Sequence, residues 1–377
     1  MTSLLAAALF LTSPSAARIE LGNGVVVAIE PMRVQGRIAV VMSATGTGES
    51  VARKGQRHLL EHLVALGPHG DFDSRIERMG GYLRAETTRE AVEIGMDGPS
   101  LALETFLNVV TEAAGPFTFS QEQIVREARV IGEEEAIRRP YTIHAAAAWN
   151  LAFGDGAPDP MGDAAALASV TPDALATLHA EVFDPRTLVV AITGDFSVEE
   201  ATKLVYATLG TLPSRRGDAP ARFQPGKRKD DLTVSVGARG GSRAAVVSSL
   251  ENLSTLAKIA AGFAIQRSGG RSLLLFTESF DQAVVTLWSE RPDWDSLDAD
   301  AKATAAPFVE AGIRDLARAL SPGSPFARAR LEARLGAPTG VRATTYLSSV
   351  AARLDPNEVL EAAAWFAEPV AMQVRGR

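Results

Sequence analysis

Apolar and polar positions recur with two periods along this chain, and the switches between the periods mark its elements. Ile19–Ile29 reads as a strand pair around the turn signal Asn23-Gly24. Arg37–Ser43 is a second β run. Residues 55–66 carry helical spacing and stop at Gly67-Pro68. Gly80-Gly81 opens two short strands, Tyr82–Thr88 and Ala91–Met96. Pro99-Ser100 is placed to cap a helix running to about Ala114. Gln121–Arg139 is a long helix rich in acids, with Pro140 as its expected end. Thr171-Pro172 pairs an N-cap with proline at the first helical position. Leu188–Thr193 is an unbroken β-branched run, the mark of a buried strand. Ser197-Val-Glu-Glu200 is a capping box.

The second half repeats the style. Leu232–Val236, Ala244–Ser248 and Ala283–Trp288 read as strands. Leu253–Ile265, Ala299–Leu320, Pro325–Leu335 and Pro356–Ala367 read as helices. Between the halves, residues 212–230 are rich in Pro, Gly and charge, as a linker is. The pattern therefore predicts an α+β chain of two similar sheet-and-helix sandwiches. We place them at residues 18–213 and 231–377, joined by a linker at 214–230.

Composition narrows the partners. The length of 377 residues suits two domains at roughly 100–200 residues each. A net charge of −7 with 6% aromatics argues against nucleic acid as a partner. No cysteine is present, so disulfides, thiol nucleophiles and thiolate metal sites are excluded. Any metal must rest on carboxylates and the five histidines. No apolar run of about 20 residues predicts a membrane-spanning helix. Leu4–Leu11 followed by Ser15-Ala16-Ala17 resembles a signal core with a small-residue cleavage site, although no Lys or Arg precedes it. Residues 1–17 are thus a candidate signal peptide, which implies a periplasmic or secreted protein, and otherwise a cytoplasmic one.

The densest chemistry is His58-Leu-Leu-Glu61-His62. On a helix, positions i and i+4 lie about 40° apart, so both imidazoles leave from one face and can share a Zn²⁺. Glu61 falls beside such an ion, where a carboxylate can take a proton from water. The order is the reversed form of the zincin motif. A catalytic zinc needs a third protein ligand. The helix Gln121–Arg139 offers Glu122, Glu127, Glu133, Glu134 and Glu135. Glu127 and Glu134, seven apart, share a face. Spacing alone leaves Glu133, Glu134 and Glu135 equal as ligands. Thr45-Gly-Thr-Gly48 lacks a following Lys-Ser/Thr and is not a phosphate loop. His69, His144 and His179 read as surface or packing residues.

Further segments match one family. Gly48-Glu49 and Gly55 precede His58, and Ile76-Glu77-Arg78-Met79-Gly80-Gly81 makes a helix-to-Gly-Gly step. Glu127-Ala-Arg-Val-Ile-Gly-Glu-Glu134 spans the acidic helix. Pro160-Met-Gly162, Val170-Thr-Pro-Asp-Ala-Leu and Phe183-Asp-Pro-Arg-Thr-Leu-Val-Val lead to Gly194-Asp195. Over residues 18–213 the chain resembles the pitrilysin/insulinase family of zinc peptidases, including the small processing-peptidase-like members. The resemblance implies two halves facing each other across a cavity. It implies Zn²⁺ on His58, His62 and Glu134, Glu61 as general base, and Glu127 as a further acid important for activity. It also implies that Tyr82, Leu83, Arg84, Ala85 and Glu86 form the edge strand to which an unfolded peptide adds.

The chain departs from the family pattern at three places. Arg84-Ala85 stands where the family has Asn-Ala, and Ala65 where it has an aromatic. The shortened second half shows no Arg–Tyr pair to grip substrate; Tyr346 is its single tyrosine. The resemblance therefore points to the zinc-bearing subunit of a two-subunit endopeptidase, whose sister supplies the grip. The alternatives are a non-catalytic scaffold or core-like subunit on the same fold, and a zinc-binding protein without hydrolysis.

Overall fold

The computed structural model describes residues 16–45, 48–153, 160–217, 232–234, 242–247, 253–268, 275–278, 283–287, 299–336, 349 and 351–367. Two sheets organise them. The first has six strands: β1 (Ala17–Glu20), β2 (Val26–Pro31), β3 (Arg37–Ala44), β4 (Tyr82–Thr87), β5 (Val92–Pro99) and β6 (Leu188–Gly194). Their spatial order is β1-β2-β6-β3-β5-β4, so β4 is an edge. All pairings are antiparallel except β2 with β6. The second sheet has four antiparallel strands in the order β7 (Leu232–Val234), β8 (Ser242–Val247), β10 (Ala283–Leu287), β9 (Leu275–Glu278).

Alternation explains how the first sheet is covered. In β3, Ile38, Val40, Met42 and Ala44 face one core, and Ala39 and Val41 face another. The larger core is closed by helices α1 (Gln56–Leu66), α2 (Phe72–Arg78), α3 (Leu103–Ala114), α4 (Gln121–Phe153), α5 (Ala164–Ala168), α6 (Pro172–Val182) and α7 (Val198–Ala207). The opposite face is small: Ala39, Val41, Val189 and Ala191. A helix from the second half packs there, through Ala329 and Ala333 with Phe326 beside them. The second half supplies α8 (Leu253–Arg267), α9 (Ala299–Leu320), α10 (Pro325–Leu331) and α11 (Pro356–Ala367), and a single π turn at Glu332–Gly336 extends α10. Its core joins α8, α9 and α11. In return, α4 reaches β7, β8 and β10 of the second sheet. Each sheet thus receives a helix from the other half.

The α+β arrangement of two sheets with helices is as expected. Three local expectations change. The acidic helix does not end at Pro140 but runs on to Phe153. Proline forfeits one ladder bond there, and the following Ala145–Ala148 tract, of high helix propensity, carries the helix onward. Ser100 gives no side-chain cap; a 3₁₀ turn over Ser100–Ala102 leads into α3 instead. β9 and α5 were not anticipated, both being too short to show a period. The caps at Thr171 and Ser197 do form, accepting from the Ala174 and Glu200 amides. The leader before residue 16, most of the 214–230 linker and Tyr346 lie outside the described residues.

His179 is a packing residue. It is buried between Phe117 and Phe183, and its Nε2–H donates to the Ala113 carbonyl at 2.9 Å. Burial pushes its pKa down from 6.5 to about 4, against the opposing pull of that carbonyl, with Arg215 adding to the depression. Between those values the unfolded chain holds a proton that the folded chain refuses. This contribution to stability is complete above pH 6.5 and fades as pH falls toward 4. Urea midpoints measured from pH 7.5 to 4.5 should therefore fall more steeply for the wild type than for His179→Gln. Parallel curves would remove the assignment.

Candidate metal centre

Helix α1 builds the site. Leu59, Leu60, Leu63 and Val64 are buried and anchor the helix, which turns His58, Glu61 and His62 onto the adjoining face. The helix start is fixed by a set of polar contacts. Gly55 has φ +80, and a Cβ there would strike the Gly162 backbone. Its N–H donates to Glu49 Oε1 at 2.7 Å. Glu49 also faces Arg57, with Nη1 to Oε2 3.6 Å. Arg57 is fully enclosed, and its Nη1 donates to the carbonyls of Thr88 and Arg89, tying α1 to the end of β4. Burial lowers the Arg57 pKa to about 10, opposed by Glu49, so the side chain stays cationic at neutral pH.

The two Nε2 atoms of His58 and His62 are 3.2 Å apart. Two ligands about 2.0–2.1 Å from one tetrahedral zinc lie roughly 3.3 Å from each other. Helix α4 brings the carboxylate. Glu134 Oε2 is 3.7 Å from His58 Nε2, and Oε1 is 3.9 Å from His62 Nε2. Of the three adjacent glutamates, Glu134 alone joins the histidines: Glu133 is exposed, and Glu135 lines a separate cleft with Val51, Lys54 and Asp163. The ligand atoms of His58, His62 and Glu134 all fall within 4.8 Å of one another. The histidine side chains are nearly buried while that of Glu134 is 30% exposed, although its Oε2 is itself buried.

Two more carboxylates complete the site in different roles. Glu127, about two turns before Glu134 on the same face of α4, places Oε2 3.3 Å from His62 Nδ1. A proton on Nδ1 shared with that carboxylate leaves Nε2 as a lone pair aimed at Glu134. Glu127 therefore meets the His62 ring on the side away from Glu134, while Arg126 Nε donates to its other oxygen at 2.9 Å. Glu61 Oε2 is 3.9 Å from His58 Nε2 and accepts from the Thr87 hydroxyl at 3.0 Å. Three acids around two imidazoles repel one another, and a divalent cation offsets that repulsion. The donor set of two imidazole nitrogens and one carboxylate, all within 4.8 Å of one another, fits zinc.

The edge strand β4 is split by its own pleat. Leu83, Ala85 and Thr87 share the less exposed face, and Thr87 reaches Glu61. Tyr82, Arg84 and Glu86 share the other face. Arg84 pairs with Asp97 and lies over the Phe326 ring at 4.4 Å, away from the histidines. Glu86 pairs with Arg330. Arg84 is thus engaged with Asp97 of β5 and with the Phe326 ring of the second half rather than with the metal group. Thr87 and Arg57 were missed from sequence. Strand alternation, which sets Thr87 on the face of Ala85, was the available signal for the first; an arginine inside the histidine motif's buried helix gave none.

Residues 25–149 match the family described as Insulinase (Peptidase family M16), and residues 169–246 match the one described as Peptidase M16 inactive domain. No curated protein sequence matches the chain. Among solved structures, a protease from Helicobacter pylori is similar at 16% identity and TM-score 0.74, covering 95% of this chain and 97% of that one. A chain of complex III2 from Candida albicans is similar at 15% identity and TM-score 0.68, with 93% of each covered. The first half of the periplasmic protease PqqL from Escherichia coli is similar at 14% identity and TM-score 0.64, covering 93% and 86%. At such identities these structures share the fold. With the two sequence matches spanning more than half its length, the chain belongs to the pitrilysin/insulinase family, M16.

Proposed function

We propose that this chain is a zinc-dependent endopeptidase of unfolded peptides, and the zinc-bearing member of a two-subunit enzyme. The observation that carries the reading is the spacing of His58 and His62 Nε2, at 3.2 Å, with both Glu134 oxygens within 3.9 Å. His58, His62 and Glu134 would hold the ion. Zinc bound there acidifies water and polarises a peptide carbonyl.

The chain's own groups do the rest. Thr87 holds the Glu61 carboxylate by its hydroxyl. Glu61 Oε2 receives the proton of the attacking water and returns it to the departing amide nitrogen. Glu127 keeps the His62 ring in the tautomer whose Nε2 is free for the ion. The outer edge of β4 pairs with no other described strand, so its backbone is available to an extended peptide.

The subunit reading rests on the second half, where the sequence offers no Arg–Tyr grip; a sister chain would supply it. The candidate signal at residues 1–17 favours a periplasmic or secreted location, and one structural relative is named as periplasmic. No helix among the described residues is long and apolar enough to cross a membrane. The second reading is a scaffold on the same fold. It draws on the complex III2 relative and on the inactive-domain match. The complete set His58, Glu61, His62 and Glu134 favours the peptidase, because a scaffold has no need to place these four groups together.

Elemental analysis and a quenched-peptide assay, on the chain alone and with a sister subunit, test the proposal. Glu61→Gln should keep zinc and lose about 10²–10⁴-fold in kcat. His62→Ala should lose zinc and activity together. A Glu61→Gln protein with wild-type turnover would remove the general base. Thr87→Val should retain zinc and lower kcat about tenfold, or roughly 1.4 kcal/mol, because Glu61 loses its orienting bond. An unchanged kcat would make Thr87 incidental.

A further inference from the structure

The outward face of β4 is held by a helix of the other half. Phe326, Arg330 and Arg334 recur every four residues along α10 and its π extension, so they share one side. Arg330 pairs with Glu86 of β4 and, at 3.0 Å, with Glu93 of β5. Arg334 pairs with Glu93 and faces Glu86 at 3.6 Å. Glu93 and Arg334 are both buried. Phe326 sits in a notch of the sheet: a Cβ on Gly95 would come within 2.7 Å of its ring. Arg84 covers the same ring. Four charges and one aromatic therefore clasp the edge strand and its neighbour from behind. Glu93 and Arg334 are the buried part of this clasp, where truncating one leaves the other an uncompensated charge, while Glu86 stays about half exposed.

The clasped strand also touches the chemistry. Glu86 and Thr87 are neighbours; the first is gripped by α10 and the second holds Glu61. We propose that α10 is a strut: Arg330, with Arg334 and Phe326, positions β4 for strand addition by a peptide. This rests on the peptidase reading above. Arg330 is a positioning residue, acting through the backbone of β4. The second half then shapes substrate binding although, among the described residues, none of its side chains joins the metal group.

The test uses the full chain, with its sister subunit if one is required for turnover. Arg330→Gln and Glu86→Gln should raise KM for an unfolded peptide about tenfold, with kcat within threefold and zinc content unchanged. Arg330→Lys should recover most of the loss. Hydrogen exchange of the amides of residues 82–87 should quicken in both Gln variants while that of α1 stays as in the wild type. The milder Glu86→Gln keeps the test open should Arg330→Gln unfold. Gly95→Ala, which displaces Phe326, should reproduce the KM effect. Wild-type KM together with wild-type exchange in β4 would overturn the strut, as would a loss of thermal stability with KM unmoved. A wild-type chain that cleaves nothing would remove the peptidase reading, and the exchange comparison would still decide the strut.

Discussion

The contact on which the rest of the site depends is the packing of α1 against α4, which brings the Glu134 carboxylate within 3.9 Å of both His58 and His62 Nε2. Everything around the site serves the pairing. Glu49 and the Gly55–Gly162 contact set where α1 begins, and Arg57 pins it to the strand that follows. On α4, Ile124, Ala128 and Ile131 are sunk in the same core as the α1 leucines, which points Glu127 and Glu134 at the histidines. One helix face thus supplies two carboxylates with separate duties, one toward the shared centre and one behind a ring.

How much of this was legible depended on how local the cause was. The histidine pair, its glutamate and the seven-residue spacing of Glu127 and Glu134 are properties of single helices, and periodicity alone reveals them. The choice of Glu134 over Glu133 and Glu135 needs the crossing of two helices, which no window of sequence contains. The same holds for Thr87 and Glu61, 26 residues apart, and for Glu49 as a cap on the Gly55 amide. Pro140 misled because a proline's local penalty of about 3 kcal/mol is outweighed by strong helix formers after it and by contacts along the rest of a long helix. Arg84 is a different case. A resemblance assigns a strand position, whereas the pleat decides which side of the sheet a residue serves.

The sheet shows a second economy of design. Its inner face carries large aliphatics, and its outer face carries alanines and valines, so that α10 can lie close to it. Thr193 bonds the Pro325 carbonyl at 2.6 Å, and Arg328 faces Glu30 at 3.5 Å. The helix is held at β6 and β2 as well as at β4. Alanine packing gives closeness without direction; the glutamate–arginine contacts at the far edge supply direction.

The unbroken course of α4 has its own mechanical meaning. At about 1.5 Å per residue, its 33 residues make a rod roughly 50 Å long. Glu134 rides near the middle of that rod, whereas His58 and His62 ride on a different, shorter helix. The rod also reaches the second sheet. One continuous element thus ties the carboxylate that meets the two histidines to the sheet of the other half, so the placing of Glu134 is a property of both halves together.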